Sequence, residues 1–267
     1  MLQASNNQVK SNEDMVDHIP SYIRSPSKQQ VVVLDVNGVL CHVQNPRKNE
    51  LIPDHANRVA GRVIWPRPGL HNFLSKLFQH FHVLIWSSME DRRTSDIVAH
   101  ILRPHMKPID VMGQSACLTV LDGLGRALRD PLNEHKPIFF KCLAEKVWQR
   151  QNTVEQQTGF RPSPQNTLLI DDSVEKTYLN PPLNVMHVEK YSGGEDNYLL
   201  GVLLPWLMGM MQSGSNVPAY MALRRLGVPA MDDSLELAKL ARKWVPQNVS
   251  RRLELFTETS SQVSRFE

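Results

Sequence analysis

The sequence predicts an α/β fold, a Rossmann-like parallel sheet with helices on both faces. Two observations support this prediction. From about residue 29, apolar β-branched runs alternate with helical patterns, which is typical of parallel strands joined by crossover helices. Two of these runs, VVVLD at 31–35 and TLLID at 167–171, end in aspartate. Central strands of such sheets deliver polar residues to a site at their C-terminal edge.

The predicted elements follow one another in a regular order. The strand VVVLDV precedes a helical pattern in HNFLSKLFQHF, and the strand HVLIWSS precedes another in SDIVAHIL. A strand near Asp110 and a helix in FFKCLAEKVWQR then lead to the strand NTLLIDDS. The Pro-rich segment RPSPQ at 161–165 separates that helix from the strand.

The two ends of the chain differ from this central pattern. Residues 1–28 are rich in Ser, Asn, Gln and charge without a sustained period, which predicts a disordered tail. From SGSNVP onward, short helical stretches such as DSLELAKLARKWV predict a helical C-terminal appendage over 213–267. Residues 29–212 are therefore predicted to form the main domain.

Composition and hydropathy limit the classes of protein to consider. A net charge of +3 is small for 267 residues and gives no support to direct nucleic-acid binding. Three scattered cysteines favour a reducing compartment. The N-terminal residues show neither a secretory signal nor a mitochondrial presequence, so we expect a nuclear or cytoplasmic location rather than a mitochondrial one. The apolar segment Tyr198–Met211 is shorter than the roughly 20 residues of a membrane span and predicts a buried helix.

Polar residues that can take part in phosphoryl chemistry occur at four places. A carboxylate can attack phosphorus only if the phosphoryl charge is neutralised, and a hard Mg²⁺ ion with oxygen ligands supplies that neutralisation. A serine and a lysine supply a hydrogen-bond donor and a point charge. In chain order the candidates are Asp35 with Asn37, Ser87, Lys141, and Asp171 with Asp172.

This ordered set resembles the haloacid dehalogenase-like superfamily, and within it the branch of RNA polymerase C-terminal-domain phosphatases and their small relatives. The segments WPRPGL, LIWSSM, GQSAC and LLIDDSVEKTYLNPP are similar to those of plant-type members. The resemblance covers about residues 29–212. It implies a haloacid dehalogenase-like fold with a small insertion beside the active site, which falls here between Asp110 and Pro137.

The resemblance implies that Asp35 is a nucleophile that forms an aspartyl phosphate. It also implies that Mg²⁺ is held by Asp35, the main-chain carbonyl of Asn37, Asp171 and Asp172. Two adjacent carboxylates crowd negative charge that a cation or a nearby lysine makes tolerable. The alternative interpretation is that the run Asp-Asp-Ser only caps a helix.

The resemblance also implies two phosphate-binding residues. Ser87 would donate its hydroxyl to a phosphoryl oxygen, with Ser88 as a rival; a serine that merely begins the next helix is the structural alternative. Lys141, in the context FFKCL, would balance the charge of the phosphate and the carboxylates. Lys136 and Lys146 are its alternatives, and a solvated helix lysine is the structural interpretation.

Asn37 is the departure from the family pattern. In the family's working phosphatases, an aspartic acid at this position protonates the leaving alkoxide and later deprotonates water. An amide has no transferable proton near neutral pH, and loss of one general acid or base typically lowers the rate about 10²- to 10⁴-fold. The following Gly38 also makes deamidation of Asn37 sterically easy in a flexible chain.

Two functions are therefore open. One is a Mg²⁺-dependent phosphatase, impaired by Asn37, that acts on a phosphoserine or phosphothreonine protein or peptide. The other is a catalytically inactive binding or scaffold protein, as in the mitochondrial import translocase subunit that carries this domain. Four arginines lie near the first motifs: Arg62, Arg67, Arg92 and Arg93. They would form a basic rim that binds a phosphopeptide, or they are ordinary solvated surface charges; we expect the latter.

Overall fold

The computed structural model describes residues 28–46, 56–119, 126–127, 129–130, 133–149, 155, 158–224 and 226. The predicted tail at 1–28, apart from Lys28, lies outside the described residues. So does almost all of the predicted appendage beyond residue 226.

The strands of the described chain are short. In chain order they are β1 (Val31–Leu34), β2 (Cys41–Gln44), β3 (Asn57–Val59), β4 (Arg62–Pro66), β5 (His82–Trp86), β6 (Asp110–Met112), β7 (Leu118–Thr119), β8 (Arg129–Asp130), β9 (Asn133–Pro137), β10 (Phe139–Phe140), β11 (Thr167–Asp171) and β12 (Val185–His187).

The α-helices are α1 (Leu70–His80), α2 (Asp91–Ile101), α3 (Val174–Thr177), α4 (Leu204–Ser213) and α5 (Val217–Leu223). Two π-helical turns, Ala144–Trp148 and Leu199–Leu203, and two 3₁₀ turns, Gln114–Ala116 and Pro182–Asn184, complete the helical structure. Helix α1 shows why these segments are helical: its buried residues lie at positions i, i+3, i+4 and i+7, and so form one apolar face.

A five-stranded parallel sheet forms the centre, in the order β12-β11-β1-β5-β6. From β1 the chain crosses to β5 and β6 in one direction, and then returns to β11 and β12 on the other side. Because such crossovers are right-handed, the reversal moves the connecting segment to the opposite face. Helices α1 and α2 pack on one face, and Leu143–Trp148 packs on the other. The predicted α/β fold class is confirmed.

Successive side chains of a strand point to opposite faces of the sheet, so the core is divided into two clusters. Val32 and Leu34 of β1 join the larger cluster with α1, α2, α4 and α5. Val31 and Val33 face the smaller cluster, which includes Trp86. Helix α5 falls within the segment predicted as an appendage, yet it packs against the main core.

Small antiparallel pieces flank the sheet. Strands β2, β4 and β3 form a three-stranded sheet directly after the loop that follows β1. Its β3–β4 turn has positive φ at Ala60 and Gly61, as two-residue hairpins require. Within the predicted insertion, β8 pairs with β9, and β7 pairs with β10 beyond it.

Two predictions of local structure are corrected or refined. The predicted helix in FFKCLAEKVWQR begins too early, because Phe139 and Phe140 pair with β7 and the helical turn starts only near Ala144. The apolar segment after Tyr198 is helical but is buried along one face only, through Leu199, Leu203, Leu207 and Met210, whereas Val202 is 40% exposed. It changes from π to α geometry next to Pro205, a residue without an N–H group. Among the described residues, every helix is too short or too polar to cross a bilayer.

Candidate active site

Asp35 and Asp171 meet at the C-terminal edge of the sheet because their strands are neighbours. Leu34 of β1 pairs with Ile170 of β11, and the Asp35 amide donates to the Ile170 carbonyl at 2.9 Å. Each aspartate is therefore the residue at which a buried apolar strand ends. Both are almost fully buried, so their charges need partners within the protein.

Lys141 is the partner of both carboxylates. Its Nζ lies 2.9 Å from Asp35 Oδ1 and 2.5 Å from Asp171 Oδ2, and its side chain is fully buried. Of its rivals, Lys136 lies in β9 and Lys146 is half-buried on the π-helical turn. Lys141 is therefore the candidate lysine that the structure brings to the two aspartates.

The backbone of Lys141 is held in place by the segment after β11. Its amide donates to the Lys176 carbonyl at 2.7 Å, and its carbonyl accepts from Asn180 Nδ2 at 2.6 Å. Asn180 is buried and also accepts from the Leu143 amide at 2.7 Å. Sequence reasoning missed Asn180; the only signal was its position before the Pro-Pro pair in LNPP.

The electrostatics of the cluster show an excess of negative charge. Burial raises the pKa of Asp35, and the Asp171 carboxylate adds to this, so that Lys141 only partly offsets the rise. For Asp171, burial also raises the pKa, but the adjacent Lys141 outweighs it and the net pKa is lowered. Burial opposes the charge of Lys141, yet the two aspartates raise its pKa above the ordinary value, so Lys141 stays protonated.

Asp172 adds a third carboxylate. Its side chain is 3% exposed and lies 4.0 Å from the exposed ammonium of Lys190, which sequence reasoning also missed. Burial, followed by the charge of Asp35, raises the pKa of Asp172 to about 6. One carboxylate oxygen from each of Asp35, Asp171 and Asp172 lies within 4.8 Å of the others.

The arrangement around Ser173 bears on the alternative that the Asp-Asp-Ser run only caps a helix. Ser173 is the N-cap of α3, but its side chain makes no capping hydrogen bond. Asp171 Oδ1 accepts from the Ser173 amide at 2.8 Å, and Asp172 Oδ1 accepts from its hydroxyl at 3.0 Å. The remaining oxygens of both carboxylates face the charged groups described above, so helix capping accounts for only half of their contacts.

The loop between β1 and β2 places Asn37 next to the carboxylates. Asn37 Oδ1 accepts from the Val43 amide at 2.8 Å, which ties the side chain to β2. Gly38 has a φ of 91°, and a Cβ there would lie 2.6 Å from Asp172 Cγ. Glycine is thus needed for both the turn and the close approach of Asp172.

Backbone hydrogen bonds fix most of this loop but leave one carbonyl unused. The carbonyls of Val36, Gly38, Leu40 and Cys41 all accept from backbone amides. Among the described residues, none donates a hydrogen bond to the Asn37 carbonyl. That carbonyl remains available to a cation.

Ser87 lies at the same edge, directly after β5. It is buried, its amide donates to the Met112 carbonyl at 2.9 Å, and its Oγ accepts from the Met89 amide at 3.2 Å. Because Oγ is an acceptor in that bond, its own proton is available for another acceptor. Ser88 is half-buried.

Arg67 is neither the solvated surface charge that the sequence predicted nor part of an exposed basic rim. It is buried, with Nε 2.8 Å from Asp196 Oδ2 and its guanidinium 4.6 Å from the Tyr198 ring centre. Its amide donates to the Leu40 carbonyl at 3.0 Å. Arg67 is therefore an internal support of the loop after β1. Of the other three arginines, Arg93 pairs with Glu90 at 3.3 Å.

Comparisons with known proteins agree with this architecture. The family described as NLI interacting factor-like phosphatase matches residues 30–218. An uncharacterised FCP1 homology domain-containing protein of Schizosaccharomyces pombe is 29% identical over 154 residues, which cover 57% of this chain and 58% of the relative. The match thus spans less than two thirds of that relative's length.

Two solved structures are also similar. One is the fission yeast RNA polymerase II CTD phosphatase Fcp1, as a variant bound to beryllium fluoride, with 12% identity and a TM-score of 0.39. The other is Fcp1, described as an essential RNA polymerase II CTD phosphatase, with 14% identity and a TM-score of 0.41. Each match covers 90% of this chain and 68% of the other. Because the family match spans well over half of its length, the chain belongs to the NLI interacting factor-like phosphatase family.

Proposed function

We propose that this protein is a Mg²⁺-dependent phosphoprotein phosphatase of its family, with an aspartyl-phosphate intermediate and with turnover impaired by Asn37. The observation that carries the proposal is the buried cluster itself. Three carboxylate oxygens lie within 4.8 Å of one another, and a buried lysine contacts two of the three side chains.

The residues of the cluster fit a hard divalent cation. FCP1-like phosphatases of this superfamily are generally metal-dependent. Asp35, Asp171, Asp172 and the free carbonyl of Asn37 offer only oxygen ligands, as Mg²⁺ prefers. Burial first, and then the charge of a neighbouring carboxylate, raises the pKa values of Asp35 and Asp172, and a nearby cation would oppose both effects. When bound, the ion would neutralise phosphoryl charge and so lower the barrier to attack by an anion.

The protein residues then have separate roles. The Asp35 carboxylate attacks phosphorus, forms the new O–P bond, and the leaving oxygen departs with its bonding electrons. Lys141 keeps Asp35 in place and balances the added phosphate charge. Ser87 donates its free hydroxyl proton to a phosphoryl oxygen. Water then attacks the phosphorus of the aspartyl phosphate, the bond between phosphorus and the Asp35 oxygen breaks, and the release of inorganic phosphate regenerates the Asp35 carboxylate.

Asn37 limits both halves of this reaction. A serine alkoxide leaves poorly unless it is protonated, and the attacking water must lose a proton; an amide can do neither. An aryl oxygen leaves without such help. We therefore expect slow turnover of aryl phosphates and much slower turnover of phosphoserine or phosphothreonine peptides. A nuclear or cytoplasmic phosphoprotein is the proposed substrate class.

One observation favours a second function, a binding protein that holds a phosphorylated partner without turnover. Asn37 Oδ1 accepts the Val43 amide, so the side chain supports the loop as an aspartate would, while its NH₂ group can only donate a hydrogen bond. The loop and the phosphate-binding groups are thus preserved without proton transfer.

The test is Mg²⁺-dependent turnover of an aryl phosphate and of a phosphoserine peptide by the wild type, Asn37→Asp and Asp35→Asn. We expect the wild type to be slow, Asn37→Asp to raise the peptide rate about 10²- to 10⁴-fold, and Asp35→Asn to abolish both activities. Intact mass excludes a deamidated fraction. If folded wild type and Asn37→Asp are both inert, the enzyme proposal is wrong and the binding function replaces it.

A further inference from the structure

Helix α3 carries a second lysine, Lys176, to which the sequence analysis assigns no role. Its carbonyl accepts the Lys141 amide at 2.7 Å, so the two lysine backbones lie side by side behind the carboxylates. Asn180 fixes the same contact, because its Nδ2 donates both to the Lys141 carbonyl at 2.6 Å and to the Thr177 carbonyl at 2.7 Å. These hydrogen bonds hold the backbone of Lys176 next to that of Lys141.

The charge of Lys176 acts on the whole cluster. Burial lowers its pKa, but Asp35 and then Asp171 more than compensate, so that the net pKa is raised; Lys141 and Asp172 also act on it. Among the residues that the structure describes, however, no carboxylate forms a direct ion pair with the Lys176 ammonium. This differs from Lys141, whose Nζ is 2.9 Å and 2.5 Å from two carboxylate oxygens.

The two lysines are therefore suited to different tasks. Lys141 commits two of its three donors to Asp35 and Asp171. Lys176 is in the field of the same carboxylates but keeps its donors unused. The exposed Lys190, 4.0 Å from Asp172, belongs to the same group of charges. A bound divalent cation would give the site a net positive charge, and loss of Lys176 would remove one positive charge, so that a phosphate dianion is attracted less strongly.

We propose that Lys176 is a phosphate-binding residue of this site, which donates directly to the oxygens of a bound phosphate monoester or of inorganic phosphate. This inference rests on the proposed function, since it assumes that a phosphate group occupies the cluster. Lys176 does not replace the missing proton donor, because a lysine that stays protonated at neutral pH is a poor acid. Its role is to retain the phosphate group, which serves both a slow phosphatase and a phosphoprotein-binding protein.

The test measures binding of inorganic phosphate to the full chain in excess Mg²⁺ by isothermal titration calorimetry. The variants are Lys176→Met, Lys176→Gln and Lys176→Arg, with Lys146→Met as the matched control on the nearby π-helical turn. We expect Lys176→Met and Lys176→Gln to bind phosphate about 10- to 100-fold more weakly, as for loss of one charged hydrogen bond. Lys176→Arg should restore binding to within several-fold, and Lys146→Met should bind as the wild type does.

The possible outcomes separate this inference from the proposed function. Thermal unfolding without phosphate identifies a variant that is merely misfolded. If one of the Met and Gln variants misfolds, the other still tests the inference. If the wild type binds phosphate and both neutral variants bind it equally well, Lys176 is not a ligand and only this inference is overturned. If the wild type binds no phosphate in Mg²⁺, the proposed function and this inference both fail.

Discussion

Two buried ionic clusters support the loop between β1 and β2, and they differ in charge balance. On one side, Lys141 contacts Asp35 and Asp171 directly, while the neighbouring Asp172 lies 4.0 Å from the exposed Lys190. On the other side, Arg67 pairs with Asp196 at 2.8 Å. The first cluster has more carboxylates than contacting cations, and the second is a balanced pair.

This difference in charge balance distinguishes a structural ion pair from a candidate functional site. The Arg67 guanidinium is enclosed by the rings of Tyr191 and Tyr198, 5.3 and 4.6 Å away, so both charges of the balanced pair are satisfied within the protein. The carboxylate cluster retains raised pKa values at Asp35 and Asp172. A satisfied pair supports the fold, whereas a buried cluster with raised pKa values is a candidate functional site.

The largest expected effect is that of Lys141→Met in the absence of divalent cations. Removal of one partner leaves buried carboxylates uncompensated and should lower the free energy of unfolding by about 3–5 kcal/mol. Mg²⁺ should restore a large part of this loss, because a cation takes over the charge compensation. Urea denaturation in EDTA and in Mg²⁺ measures both quantities; equal stability in the two buffers would contradict a cation site.

Arg67→Met should have a somewhat smaller effect. Asp196 is 26% exposed on its side chain and can be hydrated once its partner is lost, so we expect a destabilisation of about 2–3 kcal/mol. In contrast to Lys141→Met, Mg²⁺ should restore none of it. The same denaturation assay, with Asp196→Asn as the matched control, checks this; rescue of Arg67→Met by Mg²⁺ would erase the distinction between the clusters.

A third effect depends on pH. The pKa of Asp172 is about 6 in the fold against an ordinary value of 3.8, so between these values the folded state binds more protons than the unfolded state. The metal-free protein should therefore gain stability as pH falls. From about pH 7.5 to about pH 5 the gain relative to Asp172→Asn should be about 1.4 kcal/mol.

The matched measurement is thermal or urea unfolding of the wild type and Asp172→Asn in EDTA across this pH range. In Mg²⁺ the gain should disappear, because a bound cation keeps Asp172 ionised. If the stabilities of the two proteins change with pH in parallel in EDTA, the pKa of Asp172 is not raised in the folded protein.

The smallest expected effect concerns the amide of Asn37. Deamidation requires the Gly38 nitrogen to attack the Asn37 side chain, but the Gly38 amide is bonded to the Cys41 carbonyl at 2.8 Å and Asn37 Oδ1 to the Val43 amide at 2.8 Å. Folded protein should therefore deamidate more slowly at this site than the same chain in urea. Peptide mass spectrometry after incubation compares the two; equal rates would mean that the loop opens readily.

Prediction from the sequence was most accurate for features that depend on short stretches of the chain. Unbroken apolar runs identified the central strands, and a strand that ends in Asp35 or Asp171 fixed the edge at which the acidic residues lie. The helix predicted to contain Lys141 began too early, because pairing of Phe139 and Phe140 with β7 outweighed the helical propensity of that segment. The irregular insertion contains short strand pairs that no periodic pattern indicated.

The sequence by itself determined the sheet, its C-terminal edge and the set of candidate residues for phosphoryl chemistry, because strand hydrophobicity and the residues that follow each strand are local properties. Only the tertiary structure decided which lysine joins the carboxylates, that Arg67 is internal, and that Asn180 and Lys176 belong beside the site. These contacts join residues 30 to 129 positions apart. They depend on how distant segments pack, which no local pattern specifies.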